Sequence, residues 1–162
     1  MYKMLLLVCC LLLSATVAMG QGKVDNQWNC AKPSVSHSLD VGDRANHSYQ
    51  ISQVSCTAAK GEIAGVKEKE GAATQFNETS GNTTSWHGVF VETLENGDKG
   101  TFTYKGKGTM KDGVLQVASH SWNLVSGTGK LKGAKASGTC KGTGSADGSV
   151  VWDCTGTYTL AK

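Results

Sequence analysis

The 162-residue sequence has one arginine, Arg44, one proline, Pro33, and a strongest apolar stretch, Leu5–Leu13, of only nine residues. A membrane-spanning helix needs about 20 apolar residues, so that stretch is too short to anchor the chain. A single arginine and a formal net charge of +3 supply little of the phosphate-binding surface that nucleic-acid recognition requires, and no nucleic-acid partner is expected. No window repeats apolar residues at i, i+3, i+4 and i+7, which argues against helical architecture. The chain has no C-x2-C pair and no G-x-S-x-G, Walker or H-x-H motif. A four-cysteine zinc site, a nucleophile elbow and a phosphate loop therefore lack their usual spacing, and no cofactor or metal is expected. His37, His47, His87 and His120 are scattered singly.

What the sequence does contain begins with a leader. Lys3 precedes the Leu5–Leu13 core, and "SATVAMG" places small residues, Ala18 and Gly20, before Gln21. This is the pattern of a secretory signal over residues 1–20, leaving one domain over 21–162 in a secreted or periplasmic location. Cys9 and Cys10 would leave with the signal. Cys30, Cys56, Cys140 and Cys154 remain, an even number that predicts two disulfides in an oxidising compartment.

Threonine, serine and glycine dominate the remainder, as strands and turns require. Eight strands are predicted, over about residues 33–40, 47–58, 71–79, 84–94, 100–111, 113–124, 134–144 and 149–160, with 60–70 as a loop or single helical turn. In "GTFTYKGKGTM", Phe102, Tyr104, Gly106, Gly108 and Met110 share one parity and the threonines and lysines the other. Such alternation marks a strand with one buried and one wet face. Trp86, Gly88 and Phe90 form the matching inner set of the preceding strand. Glu92 shares their parity, and its ordinary reading is that the strand has left the core by then. His120 shares parity with Gln116, Ala118, Trp122 and Leu124, although Leu115 and Val117 are apolar on the opposite parity.

A turn centred on Asp147 sets Cys140 opposite Cys154, Gly142 opposite Trp152, Gly138 opposite Gly156 and Ala136 opposite Tyr158. Large residues then meet small ones, and the two cysteines face each other at disulfide range. A similar symmetry near Asp43 brings Cys30 opposite Cys56. The predicted pairs are Cys30–Cys56 and Cys140–Cys154.

The segment "VSGTGKLKGAKASGT", Val125–Thr139, resembles the G-G-T-G-x-F-x-G-x-x-G pattern of the allene oxide cyclase and dirigent barrels. It is also similar to small secreted bacterial proteins of unknown function that end in a comparable hairpin. The resemblance covers about residues 84–160, with Ser126 in place of the first glycine and Leu131 in place of the aromatic. It implies an all-β, eight-stranded antiparallel barrel, calycin-like in form, with a central apolar cavity, and it transfers no catalytic residue.

The function this reading favours is binding of a small apolar or aromatic molecule by Trp86, Phe90, Phe102, Tyr104, His120 and Trp122, with Trp152 and Tyr158 as further wall residues. An alternative is a cofactor-free cyclase or isomerase with His120, Glu92 and Tyr104 as an acid/base group at the barrel mouth. A third is a structural or adhesion module. Eight lysines lie between Lys99 and Lys141 against one carboxylate, Asp112, and could touch an anionic surface. The oligomeric state is left unassigned, and no large apolar outer face is expected. Asn46, Asn77 and Asn82 begin glycosylation sequons whose use depends on the host.

Overall fold

The computed structural model describes residues 20–161, so the expected leader over residues 1–20 lies, apart from Gly20, outside the described residues. Ten strands follow in order: β1 Gln21–Cys30, β2 Val35–Asp40, β3 His47–Lys60, β4 Glu62–Ile63, β5 Val66–Ser80, β6 Thr83–Leu94, β7 Lys99–Lys111, β8 Val114–Gly127, β9 Lys135–Gly144 and β10 Val150–Thr159. A single 3-10 turn, Gly129–Leu131, separates β8 from β9. Eight strands pair antiparallel in a closed ring, β1–β3–β5–β6–β7–β8–β9–β10 and back to β1. Closure leaves no edge within the ring for another chain to extend.

The ring has the expected number of strands but not the expected members. The segment 33–40 contributes β2, which runs outside the ring along the edge of β3 that β1 vacates at Cys30, and all six of its residues are exposed. Its place is taken by Gln21–Cys30, whose inward residues Val24, Asn26, Trp28 and Cys30 alternate with outward polar ones. The 60–70 region is also a correction. It is neither loop nor helix but the β4–β5 hairpin, reversed at Ala64 and Gly65, both with positive φ (56° and 71°). Two successive positive-φ residues give the tight turn whose twist suits adjacent antiparallel strands.

The last hairpin follows the expected register, with Cys140 opposite Cys154, Gly142 opposite Trp152, Gly138 opposite Gly156 and Ala136 opposite Tyr158. Both disulfides form as expected, Cys30–Cys56 across β1 and β3, and Cys140–Cys154 across β9 and β10. Two disulfides are consistent with an extracellular or periplasmic protein. The small residues have a packing reason. A Cβ on Gly142 would sit 2.5 Å from the Trp152 ring, and one on Gly138 would sit 2.5 Å from Trp122. The indoles lie directly on bare backbone.

One end of the barrel is sealed. Leu131, Ile63 and Leu94 are fully buried there, from the 3-10 turn, β4 and the end of β6. The Val125–Thr139 segment thus serves as the plug. Gly127 lies against Leu131, and the Asp98 carboxylate accepts the Lys130 amide (3.0 Å) while the Lys99 amide donates to the Thr128 hydroxyl (2.8 Å). Gly129 has a φ of 49° and sits so close to Asp98 that no side chain fits, which explains a glycine at that position. The Lys130 amide holds the Asp98 carboxyl below the usual carboxylate range.

The outer wall departs from expectation on one face. Leu39, Tyr49, Ile51, Phe76, Val89 and Val91 are exposed on neighbouring strands β2, β3, β5 and β6. The lysines between Lys99 and Lys141 are all exposed, as expected of outward positions.

Leu131→Ala leaves a void beneath the barrel that its rigid neighbours cannot fill. The variant should lose about 3 kcal/mol of stability with the disulfides intact, measured by denaturant unfolding.

Candidate functional site

From the plug the barrel opens toward the other end. A cavity of about 380 Å³ runs from Ile63, Glu68 and Glu92 up to Thr79, Thr84, Met110 and the hairpin residues Gly113 and Gly148. Its walls are made by the inward parity of every ring strand. Trp86, Phe90, Phe102, Tyr104, His120 and Trp122 all line it, joined by Trp28 and Trp152. The rings meet edge to face or tilted. Trp28 and Phe90 have centroids 5.0 Å apart, Phe102 and Trp122 5.7 Å, Trp86 and Trp152 5.9 Å. The Trp28–Phe90 and Trp86–Trp152 contacts join strands three and four apart in the ring. These edge contacts therefore cross the interior, and the cavity is the space left around them. Tyr158 does not line the cavity, because it packs over Gly22 at the sealed end.

Polar groups interrupt this wall at two levels. At mid-height, the Tyr104 hydroxyl donates to Gln75 Oε1 (2.8 Å), and Gln75 Nε2 donates to Asn77 Oδ1 (3.0 Å). Asn77 Nδ2 in turn donates to Gln50 Oε1 (3.1 Å) and Ser52 Oγ (3.2 Å). This amide belt crosses β7, β5 and β3. It also places the Asn77 sequon inside the barrel, with its amide already engaged. Across from the belt, His120 is held between Tyr104 (5.2 Å) and Trp152 (4.4 Å). Burial pushes its pKa down to about 4 and the Tyr104 phenol above its usual range, so both are neutral near pH 7. His120 also lies against the Cys140–Cys154 bond, the three possible ligand atoms falling within 4.8 Å of one another. Disulfide sulfurs carry no thiolate with which to bind a metal.

The lower level is a carboxyl floor. Glu92 is 2% exposed and Glu68 7%, and Asn26 Nδ2 donates to Glu68 Oε1 (2.8 Å). Glu92 has therefore not left the core, as its parity alone would have it read. Glu68 reaches the interior through a bulge: β5 pairs Glu68 with Leu94 and Glu70 with Thr93, so Lys69 is extruded and the parity reverses. Burial pushes the Glu68 pKa up to about 7, against the opposing hydrogen bond from Asn26. Burial, then repulsion from Glu68, pushes Glu92 up to about 8.

The structure thus brings Tyr104 and His120 together and sets Glu92 apart from them. Tyr104 faces Gly88 on β6, and Glu92 lies four residues further toward the plug, about 13 Å of strand. The three do not form one acid/base group, and Glu92 is at the floor and not the mouth. Glu68, Asn26 and the amide belt went unrecognised in the sequence. Asn26 had a signal, the alternation Val24–Asn26–Trp28–Cys30; Glu68, behind its bulge, had none.

No protein-family model matches the sequence, and no curated protein sequence matches it. Solved structures do. The pterocarpan synthase dirigent protein superposes with a TM-score of 0.52 over 93% of this chain and 96% of its own, at 12% identity. The barrel is dirigent-like. A protein of unknown function of the DUF3224 family from Shewanella oneidensis MR-1 aligns with a TM-score of 0.48 over 84% of this chain and 96% of its own, at 15% identity. At such identities the dirigent-like likeness concerns the fold, and activity has to be argued from the cavity.

The floor carries a stability signature. Glu68 and Glu92 bind protons in the folded state up to about pH 7 and pH 8 but only to about 4.5 when unfolded. Their contribution is complete below about pH 4.5 and is lost as pH rises through 7 to 8. His120 acts oppositely, but only between about 6.5 and 4. Stability should therefore fall by about 3 kcal/mol between pH 6.5 and 9, and the Glu68→Gln/Glu92→Gln double variant should flatten that slope, as followed by denaturant midpoints.

Proposed function

We propose that this protein is an exported binding barrel that holds a small apolar or aromatic molecule in its interior. One observation carries the reading. Among the described residues, the buried side-chain polar atoms with no partner in the protein are Asn26 Oδ1, Glu68 Oε2, Glu92 Oε1, His120 Nδ1 and Trp122 Nε1, and every one belongs to a residue lining the same cavity. Buried polar groups are nearly always hydrogen-bonded, and exceptions that converge on one space suggest a guest that completes them. The remaining wall is aromatic, so affinity would come from burying apolar ligand surface at about 25 cal/mol per Å² before ordering costs. The leader over residues 1–20 and the two disulfides support an exported protein.

A second reading, a cofactor-free cyclase or isomerase in the same cavity, is favoured by Glu92. A carboxyl that keeps its proton up to about pH 8 beside open volume has the character of a general acid. The dirigent-like neighbour is described as a pterocarpan synthase, which makes chemistry in such a barrel a reasonable second reading.

The neutral naphthalene dye prodan tests the binding reading. Its emission should shift to the blue and saturate at one dye per protein, and Thr84→Trp, which fills the cavity entrance, should weaken binding at least tenfold. Absence of saturable binding, or binding indifferent to Thr84→Trp, would overturn it.

A further inference from the structure

Four titratable side chains line the cavity: Glu68 on β5, Glu92 on β6, Tyr104 on β7 and His120 on β8. Tyr104 and His120 are neutral at pH 8, so any charge the cavity acquires is negative and lies at its floor. No lysine, arginine or histidine forms an ion pair with Glu68 or Glu92 among the described residues. The protein thus places two carboxyl groups in its interior and supplies no cation of its own. Three acceptor oxygens there lack donors: Glu92 Oε1, Glu68 Oε2 and Asn26 Oδ1.

We infer that the floor is the seat of a primary ammonium, and that the ligand is a small aromatic amine lying with its ring among Trp28, Phe90, Phe102 and Trp122. The inference rests on the cavity-binding reading and narrows it. Three features select this chemistry. A primary ammonium has three N–H donors and no acceptor, the complement of three orphaned acceptors. An alcohol or phenol has one donor and would leave two of them unmet. The seat is also walled by aromatic rings, whose faces attract a desolvated cation. Finally, the two carboxyls repel each other, and a cation between them removes that repulsion while providing the opposite charge a buried carboxylate needs.

Binding then moves protons. Near neutral pH the floor is largely protonated, and an incoming ammonium stabilises the carboxylates, so protons leave as the amine enters. Affinity should rise with pH through the range in which Glu68 and Glu92 ionise, and fall again once the amine itself loses its proton.

A matched pair of probes separates this inference from the reading beneath it: 1-naphthylmethylamine and 1-naphthalenemethanol, titrated calorimetrically into the disulfide-intact protein. At pH 8 the amine should bind at least tenfold more tightly than the alcohol. The ratio should fall below threefold at pH 5.5, where both carboxyls are protonated. Titrations in buffers of different ionisation enthalpy should show net proton release with the amine and none with the alcohol. The Glu68→Gln/Glu92→Gln double variant, which removes both carboxylates, should also bring the pH 8 ratio below threefold. Gln mimics the protonated side chain, and the pH series on the unaltered protein gives an answer even if that variant does not fold. Equal affinities at pH 8 would overturn the ammonium seat and leave the cavity reading standing. Binding of neither probe would overturn both. A tight amine whose advantage survives both pH 5.5 and the double variant would place its attraction elsewhere, and the assignment to this floor would fall.

Discussion

The contact on which the barrel depends is indole against bare backbone. Trp122 lies over Gly138 and Gly156, and Trp152 over Gly142, at distances that exclude even a methyl group. A closed ring of eight strands has little room for large inward side chains on every strand at one level. Glycine on one strand and tryptophan on its neighbour share that room unequally, and the rings lie flat along the wall. Rings from opposite strands still meet across the interior: Trp86 on β6 and Trp152 on β10, four strands apart in the ring, have centroids 5.9 Å apart. The cavity is the space that remains around these ring contacts.

That constraint also explains why the two ends differ. At the plug the inward residues are aliphatic and compact, Ile63, Leu94 and Leu131, and they close the axis completely. At the mouth the lining residues are Thr79, Thr84, Met110 and the glycines of the hairpins, and they leave that end unclosed. The Cys30–Cys56 bond lies where β1 ends and β2 begins, the point at which the ring would otherwise be free to splay, since β1 and β3 pair over only a few residues. The second bond, Cys140–Cys154, fixes the wall behind His120.

Legibility in the sequence followed the regularity of the pleat. Strands β7, β9 and β10 keep period two without interruption over their central residues, so the inward set Phe102, Tyr104, Cys140, Trp152 and Cys154 could be named from parity alone. Bulges broke the rule elsewhere. An extra residue at Lys69 turns Glu68 inward, and another at Gln116 sends Leu115 to the cavity while Val117 is left 70% exposed. A bulge leaves no compositional trace at these positions, and each one inverts the faces of all that follows. The missed first strand failed for a different reason: its inward Asn26 looks like a surface residue until its partner Glu68 is known to be buried. The turn at Ala64–Gly65 was hidden because alanine seldom adopts positive φ.

These illegible residues are also the costly ones. Glu68, Glu92 and Asn26 occupy the one level of the interior where an aliphatic layer would pack against Ile63 and Leu94 and add stability. The amide belt above them is different in kind: Tyr104, Gln75, Asn77, Gln50 and Ser52 satisfy one another, so the belt shapes the wall without demanding anything from a guest. The floor is buried, ionisable and incompletely partnered, and only the hydrogen bond from Asn26 offsets its cost. Local rules of packing are most often broken where function is served, and here the break lies at the bottom of an aromatic shaft whose other end is open. The belt is therefore better understood as scaffold and the carboxyl floor as the chemically selective element of the cavity.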